Sequence, residues 1–299
     1  MISRQARRHF HRDRRGVAGI IGALLLVLIA VAVVGLVLTQ WLPATLAADE
    51  STFVRTSATQ LALLGSNVDS EIATNGTNPL ATTLPLASAS VPVVSSPTVA
   101  SVEYVPDLSG TFASVSASAP GFARTVNVTT GALALSIPNR YTTSASFDFE
   151  DGAIWQFAGG SRYATTVFGP LVELAPAAGG WNVSVRLVRF TGPSFGAAGP
   201  NPVVVTSALA SEQTTTWSAG GSGSFNVTIE IGTYHPCAWY AFFEAVVGQA
   251  KLSPALSSLA PANACALLST GPTIVVLILH NGSSVRVETA SIALGLGGQ

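Results

Sequence analysis

The hydrophobic pattern is strongest near the N-terminus. Residues 17–38 carry no charged side chain and consist only of Ala, Val, Leu, Ile and Gly. An α-helix rises 1.5 Å per residue, so these 22 residues would reach roughly 33 Å and could cross the hydrocarbon core of a bilayer. The pattern therefore predicts a transmembrane or pilin-type helix over residues 17–41, with Trp41 at the far interface and a break near Pro43.

A second, amphipathic helix and linker is predicted over residues 44–75. Apolar side chains recur there at intervals of three, four or seven, which is the spacing of one helix face. The residues of this stripe are Val54, Ala58, Leu61, Leu64 or Gly65, Val68 and Ile72. The charged residues of this segment fall mostly off the stripe, so we expect the helix to continue outward and to lay one face on the following domain; they are Asp49, Glu50, Arg55, Asp69 and Glu71. Turn-forming residues from Asn75 to Pro79 end the helix.

Residues 76–299 show mainly the alternation of β-strands. About eight alternating runs joined by short turns predict a mostly antiparallel, sandwich-like β domain. Hairpin turns are predicted at Thr129–Gly131, Asp151–Gly152 and Asn281–Gly282. The predicted fold class is therefore an N-terminal hydrophobic α-helix followed by a mostly antiparallel β domain with one short inserted helix.

The strand pattern is interrupted over residues 233–252. Pro236 suits the first turn of a helix, and large apolar residues follow it at helical spacing. The two cysteines of the chain, Cys237 and Cys265, lie 28 residues apart around this segment. An isolated pair outside the cell most often forms a disulfide, so we predict one. His235 is the only nearby histidine, which argues against a metal site.

Charge is distributed unevenly along the chain. Six of the fourteen Lys and Arg residues lie in the first fifteen positions, against the single acid Asp13. After Gly16 there are eight basic and fourteen acidic residues, a net charge of −6. Because basic residues stay on the cytoplasmic side, the leader 1–16 is expected inside and the remainder outside the cell membrane. The body contains one lysine, Lys251, so nucleic acid is not an expected partner.

Three interpretations of the apolar stretch are open from its length and charge. A secretory signal peptide has a shorter apolar region of about 7 to 15 residues, and the only small-residue cleavage site here, Thr45–Ala48, lies beyond Trp41. An uncleaved single-pass anchor with a cytoplasmic N-terminus explains both the span and the charge asymmetry. The third interpretation depends on the junction between leader and helix.

At this junction Arg14–Gly16 directly precede the apolar run that begins with Val17–Gly22. The arrangement resembles the class III signal of archaeal type IV pilins and archaellins. It lacks the glutamate that bacterial pilins carry at the fifth mature position, where Ile21 stands. The resemblance implies that a prepilin peptidase cuts between Gly16 and Val17. Small residues that would allow close approach of other helices lie at Gly19, Gly22, Ala23, Ala30, Ala32 and Gly35.

A wider resemblance covers most of the chain. The segments ATQLALLGSNVDS, FDFEDGAIWQF, WNVSVRLVRFTG and TYHPCAWYAFF follow the pilin-type N-terminus in this order. Together they resemble uncharacterised archaeal pilin-like secreted proteins. The resemblance implies a structural subunit of, or a component associated with, a type IV pilus-like surface filament, with other pilin subunits, the membrane and the peptidase as partners. The alternative is an uncleaved, membrane-anchored surface or adhesion protein.

The sequence contains no recognisable catalytic motif. HExxH, CxxC, G-x-S-x-G, GxGxxG and Walker patterns are absent. Asp148, Glu150 and Asp151 form the best candidate for a carboxylate or calcium site, but the first two alternate with phenylalanines, which predicts that the acids face solvent. We therefore expect no enzyme activity, cofactor or metal. A tethered hydrolase would need His235 or His280 bonded to a carboxylate beside an exposed serine.

Five asparagines stand in N-glycosylation sequons. They are Asn75, Asn127, Asn182, Asn226 and Asn281. Three of these lie within strand patterns, where the valine that follows each asparagine is expected to point inward. The asparagine side chains would then point outward, where a glycan can attach.

Overall fold

The computed structural model describes residues 6–89, 97–177, 180–219, 223–252, 257–261, 265 and 271–297, and residues 6–18 by their backbone alone. These residues contain three α-helices, one π-helical segment and fifteen β-strands. The chain forms two compact units, Met1–Asp49 and Glu50–Gln299. The fold class predicted from the sequence is confirmed: an apolar N-terminal helix precedes an antiparallel β domain with one short helix.

The N-terminal segment is helical, as predicted. Helix α1 spans Ala6–Leu36, a π-helical segment spans Val37–Trp41, and helix α2 spans Leu42–Thr74. Pro43 is the second residue of α2, and the backbone is helical on both sides of it although its ring nitrogen has no N–H to donate to the preceding turn. The predicted break is therefore wrong: the chain stays helical past Pro43, and the departure from α-geometry is the π-helical segment before it.

Two sheets make up the β domain. The six-stranded sheet has the order β11-β2-β5-β6-β7-β8, with antiparallel neighbours throughout. Its strands are β2 (Ser101–Val105), β5 (Ala132–Ile137), β6 (Ala145–Glu150), β7 (Ala153–Ala158), β8 (Ala164–Phe168) and β11 (Phe195–Ala198).

The nine-stranded sheet is built around one long strand. Its main order is β1-β12-β15-β13-β3-β4; β10 and β14 also pair with β15, and β9 pairs with β10. The pairing of β10 with β15 is parallel, unlike the other pairings among the described strands. The strands are β1 (Leu80–Leu84), β3 (Phe112–Ala119), β4 (Phe122–Thr129), β9 (Val172–Ala177), β10 (Gly180–Thr191), β12 (Val203–Ser218), β13 (Phe225–Thr233), β14 (Ser257–Ala260) and β15 (Thr273–Leu296).

The six-stranded sheet contributes to two hydrophobic cores. On one face, Phe147 and Phe149 pack with the apolar stripe of α2 and with part of the nine-stranded sheet. On the other face, Trp155 and Phe157 pack with helix α3 (Pro236–Gln249) and with the rest of the nine-stranded sheet. The stripe predicted for α2 is confirmed, since Leu61, Leu64, Val68 and Ile72 are buried. The inserted helix is also confirmed.

Two acids of α2 that lie off the predicted apolar stripe are nevertheless buried. Glu50 and Glu71 each retain only 2% of their accessible surface. Glu71 accepts a hydrogen bond of 2.8 Å from the hydroxyl of Ser207 on β12. Glu50 accepts hydrogen bonds from Thr98 and from the loop after β5. Segments that are distant in the sequence supply hydrogen-bond donors to both carboxylates. These donors offset the cost of removing the two acids from water.

The predicted hairpin at Thr129–Gly131 is wrong. Strand β4 pairs with β3 in the nine-stranded sheet, whereas β5 pairs with β2 and β6 in the other sheet. The chain therefore changes sheets at this point. A Cβ atom at Gly131 would lie 2.5 Å from the carbonyl oxygen of Pro106, so glycine allows a close backbone approach at the crossing.

The predicted turn at Asn281–Gly282 is also wrong. Strand β15 continues through it for 24 residues and changes partners near this point, from β13 and β14 to β10 and β12. A Cβ atom at Gly282 would lie 2.9 Å from the ring of Phe225, so glycine is needed for packing here. The predicted hairpin at Asp151–Gly152 is confirmed by the pairing of β6 with β7.

Candidate functional site

The first candidate site is the apolar surface of the N-terminal helix. The most apolar window of the helical stretch from Gly19 onward has a mean hydropathy of 3.2, and none of it is buried within the chain. Ile20, Leu26 and Leu28 each expose more than 60% of their surface. By length and composition this helix could cross a membrane. The proposed cleavage junction, Gly16 and Val17, lies within α1 where the backbone alone is described.

The glycines of this helix have no packing role within the chain. A Cβ atom added at Gly19, Gly22 or Gly35 would meet no atom within 4 Å. Glycine inside a helix costs about 0.5 to 1 kcal/mol relative to alanine, so these residues weaken the isolated helix. The hydroxyl of Thr39 donates to the carbonyl of Gly35 at 2.7 Å and therefore presents no unpaired donor.

The predicted disulfide is formed. Cys237 in the first turn of α3 is bonded to Cys265, with a sulfur–sulfur distance of 2.05 Å. Cys237 is buried, and Cys265 lies 28 residues further along the chain. The bond therefore connects the start of the inserted helix to the segment that precedes β15.

All five sequon asparagines are exposed. The following valines Val183 and Val227 are buried and Val128 is partly buried, as the alternation predicts. Three of the asparagines have a side-chain partner: Asn182 accepts a hydrogen bond from Ser284, Asn281 accepts one from Ser224, and Asn226 Oδ1 lies 3.0 Å from His280 Nδ1.

A cleft of about 330 Å³ lies on the face of the six-stranded sheet that looks away from the α2 core. Ala132 and Ala134 of β5 form its floor. In the strand register, Ala134 stands between Glu103 on β2 and Asp148 on β6. Ala132 stands between Val105 and Glu150 in the same way. The two alanines of β5 are smaller than the residues beside them on β2 and β6. A groove therefore runs along β5 between the side chains of these two neighbouring strands.

His235 and Asp148 are in contact at the edge of this cleft, with 3.3 Å between Nε2 and Oδ2. The ring of His235 packs on Phe157, with the ring centroids 4.6 Å apart. Burial raises the pKa of Asp148; His235 opposes this effect, and the neighbouring carboxylate of Glu150 adds to it. Tyr234 lines the cleft beside His235.

Glu150 is 96% buried at the end of β6. Its Oε1 atom accepts hydrogen bonds from the Thr233 hydroxyl at 2.6 Å and from the Trp239 indole N–H at 2.7 Å. Two distant donors thus fix the orientation of a carboxylate that lines the cleft.

Asp151 is also buried, at the turn after β6. Its Oδ1 accepts a hydrogen bond of 3.0 Å from the backbone N–H of Val188. Burial raises its pKa well above the ordinary value; the hydrogen bond from Val188 opposes this and the charge of Glu150 adds to it. The prediction that the acids face solvent is therefore wrong for Glu150 and Asp151, whereas Asp148 is partly exposed. Helix α3 and the hydrophobic cluster around Trp155 and Trp239 pack on the face of the β6–β7 hairpin that carries these acids.

The cleft meets only part of the requirement for a hydrolase. A histidine is bonded to a carboxylate, as such a site needs. However, the described residues that line the cleft include no serine, threonine or cysteine that could act as a nucleophile. Within the described ranges, no group of three or more His, Cys, Asp or Glu side chains is placed to hold a metal ion.

Comparisons with known proteins give no relative for this chain. No family model matches it, and no curated protein or solved structure is similar to it.

Proposed function

We propose that the chain is a structural subunit of, or a component associated with, an archaeal type IV pilus-like surface filament. A prepilin peptidase removes the leader after Gly16, and the helix from Val17 to Trp41 then leaves the membrane to pack with other pilin helices. The β domain remains on the outside of the assembly. The observation that carries the proposal is the fully exposed apolar surface of the N-terminal helix.

This apolar surface needs an apolar environment from outside the chain. Burying one Leu, Ile or Val side chain contributes about 1.5 to 3 kcal/mol, and more than ten such side chains are exposed between Ile20 and Leu38. Lipid can provide this environment before assembly, and neighbouring helices can provide it afterwards. Water alone cannot, so the segment is either embedded in lipid or packed with other helices.

The glycines favour helix packing over a purely lipid-anchored state. Each one weakens the helix and leaves space that no part of its own chain fills. Glycine permits close approach between helix backbones, where it gains van der Waals contacts. A simple anchor has no need of such positions. The basic leader and the small residue at Gly16 add the resemblance to the pilin processing signal.

A matched pair of variants tests the proposal. Gly22→Leu fills a small position without adding charge, whereas Val27→Leu changes an exposed apolar residue to another of similar size. We expect surface filaments containing this chain by electron microscopy in the wild type and in Val27→Leu, and few or none in Gly22→Leu. Both variants should still reach the membrane in equal amounts. Absence of filaments in the wild type would leave the anchored surface protein as the explanation.

A further inference from the structure

The long strand β12 has one edge that is only partly paired. It pairs with β15 along residues 205–218, whereas β1 covers its other edge only at residues 203–207. No described strand pairs with this outer edge over residues 208–218. Both faces of the strand are exposed at residues 210–214. Alternate residues of such an edge turn their backbone N–H and C=O groups outward, so the edge offers a row of free donors and acceptors.

The strands at the other sheet edges are shorter or interrupted. Strands β1, β8, β11 and β14 have four or five residues each. Strand β9 contains Pro176, which has no N–H to donate, and β4 carries the charged Arg124 in its first half. Such features keep an edge from pairing with another chain. Residues 213–218 of β12, in contrast, carry no charge or proline and include three consecutive threonines, which favour strand pairing.

We propose that a second copy of this chain pairs with this edge as an antiparallel strand, with Thr214 of one copy opposite Thr214 of the other. The pairing has a two-fold axis at Thr214, so it closes after two chains. It joins residues 211–217 of the two copies and places Glu212 of each opposite Thr216 of the other. The contact lies in the β domain and does not rest on the filament proposal.

This register brings opposite charges together at both ends of the contact. Within one chain, Thr216 stands beside Arg286 on β15. Glu212 of the second copy would stand on the other side of Thr216 and on the same sheet face. The backbones of Glu212 and Arg286 would then lie two strand spacings, or about 9.6 Å, apart. Both side chains are exposed and long enough to meet across the threonine between them.

The neighbouring register is less favourable. Thr214 stands beside Glu288 within the chain. If the axis moved by one residue to Gln213, Glu212 of each copy would stand opposite Thr214 of the other and would point towards Glu288. Like charges placed in this way repel each other. The Thr214 register also pairs two threonines directly, which is a favourable cross-strand pair.

The surroundings of Glu212 leave it in need of a further cation. Desolvation, together with the hydrogen bond and the charge of Glu288, raises the pKa of Glu212, and Arg186 and Arg286 of the same chain oppose this shift. Arg186 is already bonded to Asp69 and Glu288. An arginine that approaches Glu212 from a second copy would therefore offset the repulsion by Glu288.

Disulfide cross-linking of the full chain, reconstituted in phosphatidylcholine vesicles, tests the contact. The two native cysteines are bonded to each other, so one added cysteine reports on contact between chains. Residues directly opposite in an antiparallel pair have Cα atoms about 4.5 to 5.5 Å apart, which is within reach of a disulfide. Thr214→Cys should therefore form a covalent dimer under mild oxidation.

Two cysteine controls separate this register from random encounters and from association through the N-terminal helix. Ser211→Cys lies on the same edge, but the register would hold its two copies six residues, or about 20 Å, apart. Thr125→Cys lies at an exposed position of the edge strand β4. Each control should give at least about tenfold less dimer than Thr214→Cys.

Charge reversal tests the contact between Glu212 and Arg286 of different copies. In the Thr214→Cys background, Glu212→Arg alone and Arg286→Glu alone should each lower the dimer yield about tenfold, because each brings like charges together at both ends. Mixing the two variants should restore the yield, since both ends of the mixed dimer combine opposite charges. An effect within one chain cannot produce this rescue. All the altered positions are exposed, so the variants should fold.

Three results would overturn the proposal. The first is an equal dimer yield for Thr214→Cys and for both cysteine controls. The second is a dimer that forms with Ser211→Cys but not with Thr214→Cys, which would assign the edge to another partner strand. The third is the absence of rescue when the two charge variants are mixed. None of these results bears on whether the leader is cleaved or the chain forms filaments.

Discussion

Glu50 on α2 accepts a hydrogen bond of 2.7 Å from the hydroxyl of Thr98, which lies 48 residues further along the chain. The same carboxylate accepts the backbone N–H groups of Arg140, Tyr141 and Thr142 at 2.7 to 2.8 Å. Both oxygens are therefore occupied by donors from two separate segments. One buried acid attaches α2 to the loop between β5 and β6.

Glu50→Gln should destabilise the β domain by about 2 to 3 kcal/mol. The amide nitrogen of glutamine would face donors in place of an acceptor, and the charge that strengthens these hydrogen bonds would be lost. Chemical denaturation of the full chain in detergent measures the change. Glu244→Gln, at an exposed position of α3, is the control and should change stability by less than about 0.5 kcal/mol. Equal stability of the two variants would contradict the role assigned to Glu50.

The stabilisation of the fold by Glu50 should be lost at low pH. Burial by itself raises the pKa of Glu50, but the hydrogen bonds from Arg140, Thr98, Tyr141 and Thr142 outweigh it and hold the pKa below its ordinary value. A carboxyl with a lowered pKa in the folded state stabilises the fold above its unfolded pKa. This stability is lost as pH falls through the folded value. The difference between wild type and Glu50→Gln should therefore be full at pH 7 and shrink below about pH 4.

Asp151→Asn should have the opposite effect and stabilise the domain at pH 7. Burial raises the pKa of Asp151 despite the hydrogen bond from Val188, so its ionised form opposes folding. Asparagine keeps the acceptor for Val188 and tolerates the left-handed backbone at this position, where φ is 46°. We expect a gain of about 1 kcal/mol at pH 7.

This gain should vanish in acid, because protonated aspartate is already neutral there and loses nothing to burial. Denaturation curves measured at pH 7 and at about pH 3, below the ordinary pKa of aspartate, test this expectation. Asp107→Asn is the matched control, since Asp107 is exposed and its contact with Arg189 is long at 3.8 Å. A loss of stability in Asp151→Asn at pH 7 would show that the carboxylate is needed in its charged form.

Local patterns in the sequence are enough to predict the two helices that pack on the β domain, and the cysteine count is enough to predict the disulfide. The α2 stripe from Val54 to Ile72, the start of α3 at Pro236, and the Asp151–Gly152 hairpin each depend on residues within a few positions of one another. The Cys237–Cys265 disulfide can be predicted without knowledge of the fold, because the chain has only these two cysteines. Such features are determined by short segments, and the sequence displays them directly.

The remaining features depend on partners that are distant in the sequence. Glu150 looks solvent-facing from its alternation with phenylalanines, but Thr233 and Trp239, 83 and 89 residues away, supply its donors. Asn281–Gly282 carries a turn signal, yet Gly282 is needed because the Phe225 ring packs against it. The short Ser- and Ala-rich strands, such as β3, also lacked a strong pattern. The cleft could therefore not have been assembled from the sequence.

Mass spectrometry of the N-terminus of the native protein, purified from its own cells, tests the central claim most directly. The account predicts a mature chain that begins at Val17, because release of the basic leader frees the apolar helix to pack with other subunits. A chain that still begins at Met1 or Ile2 would contradict the account and support an uncleaved anchor. A start near Ala48 would also contradict it, since the helix would then have been discarded.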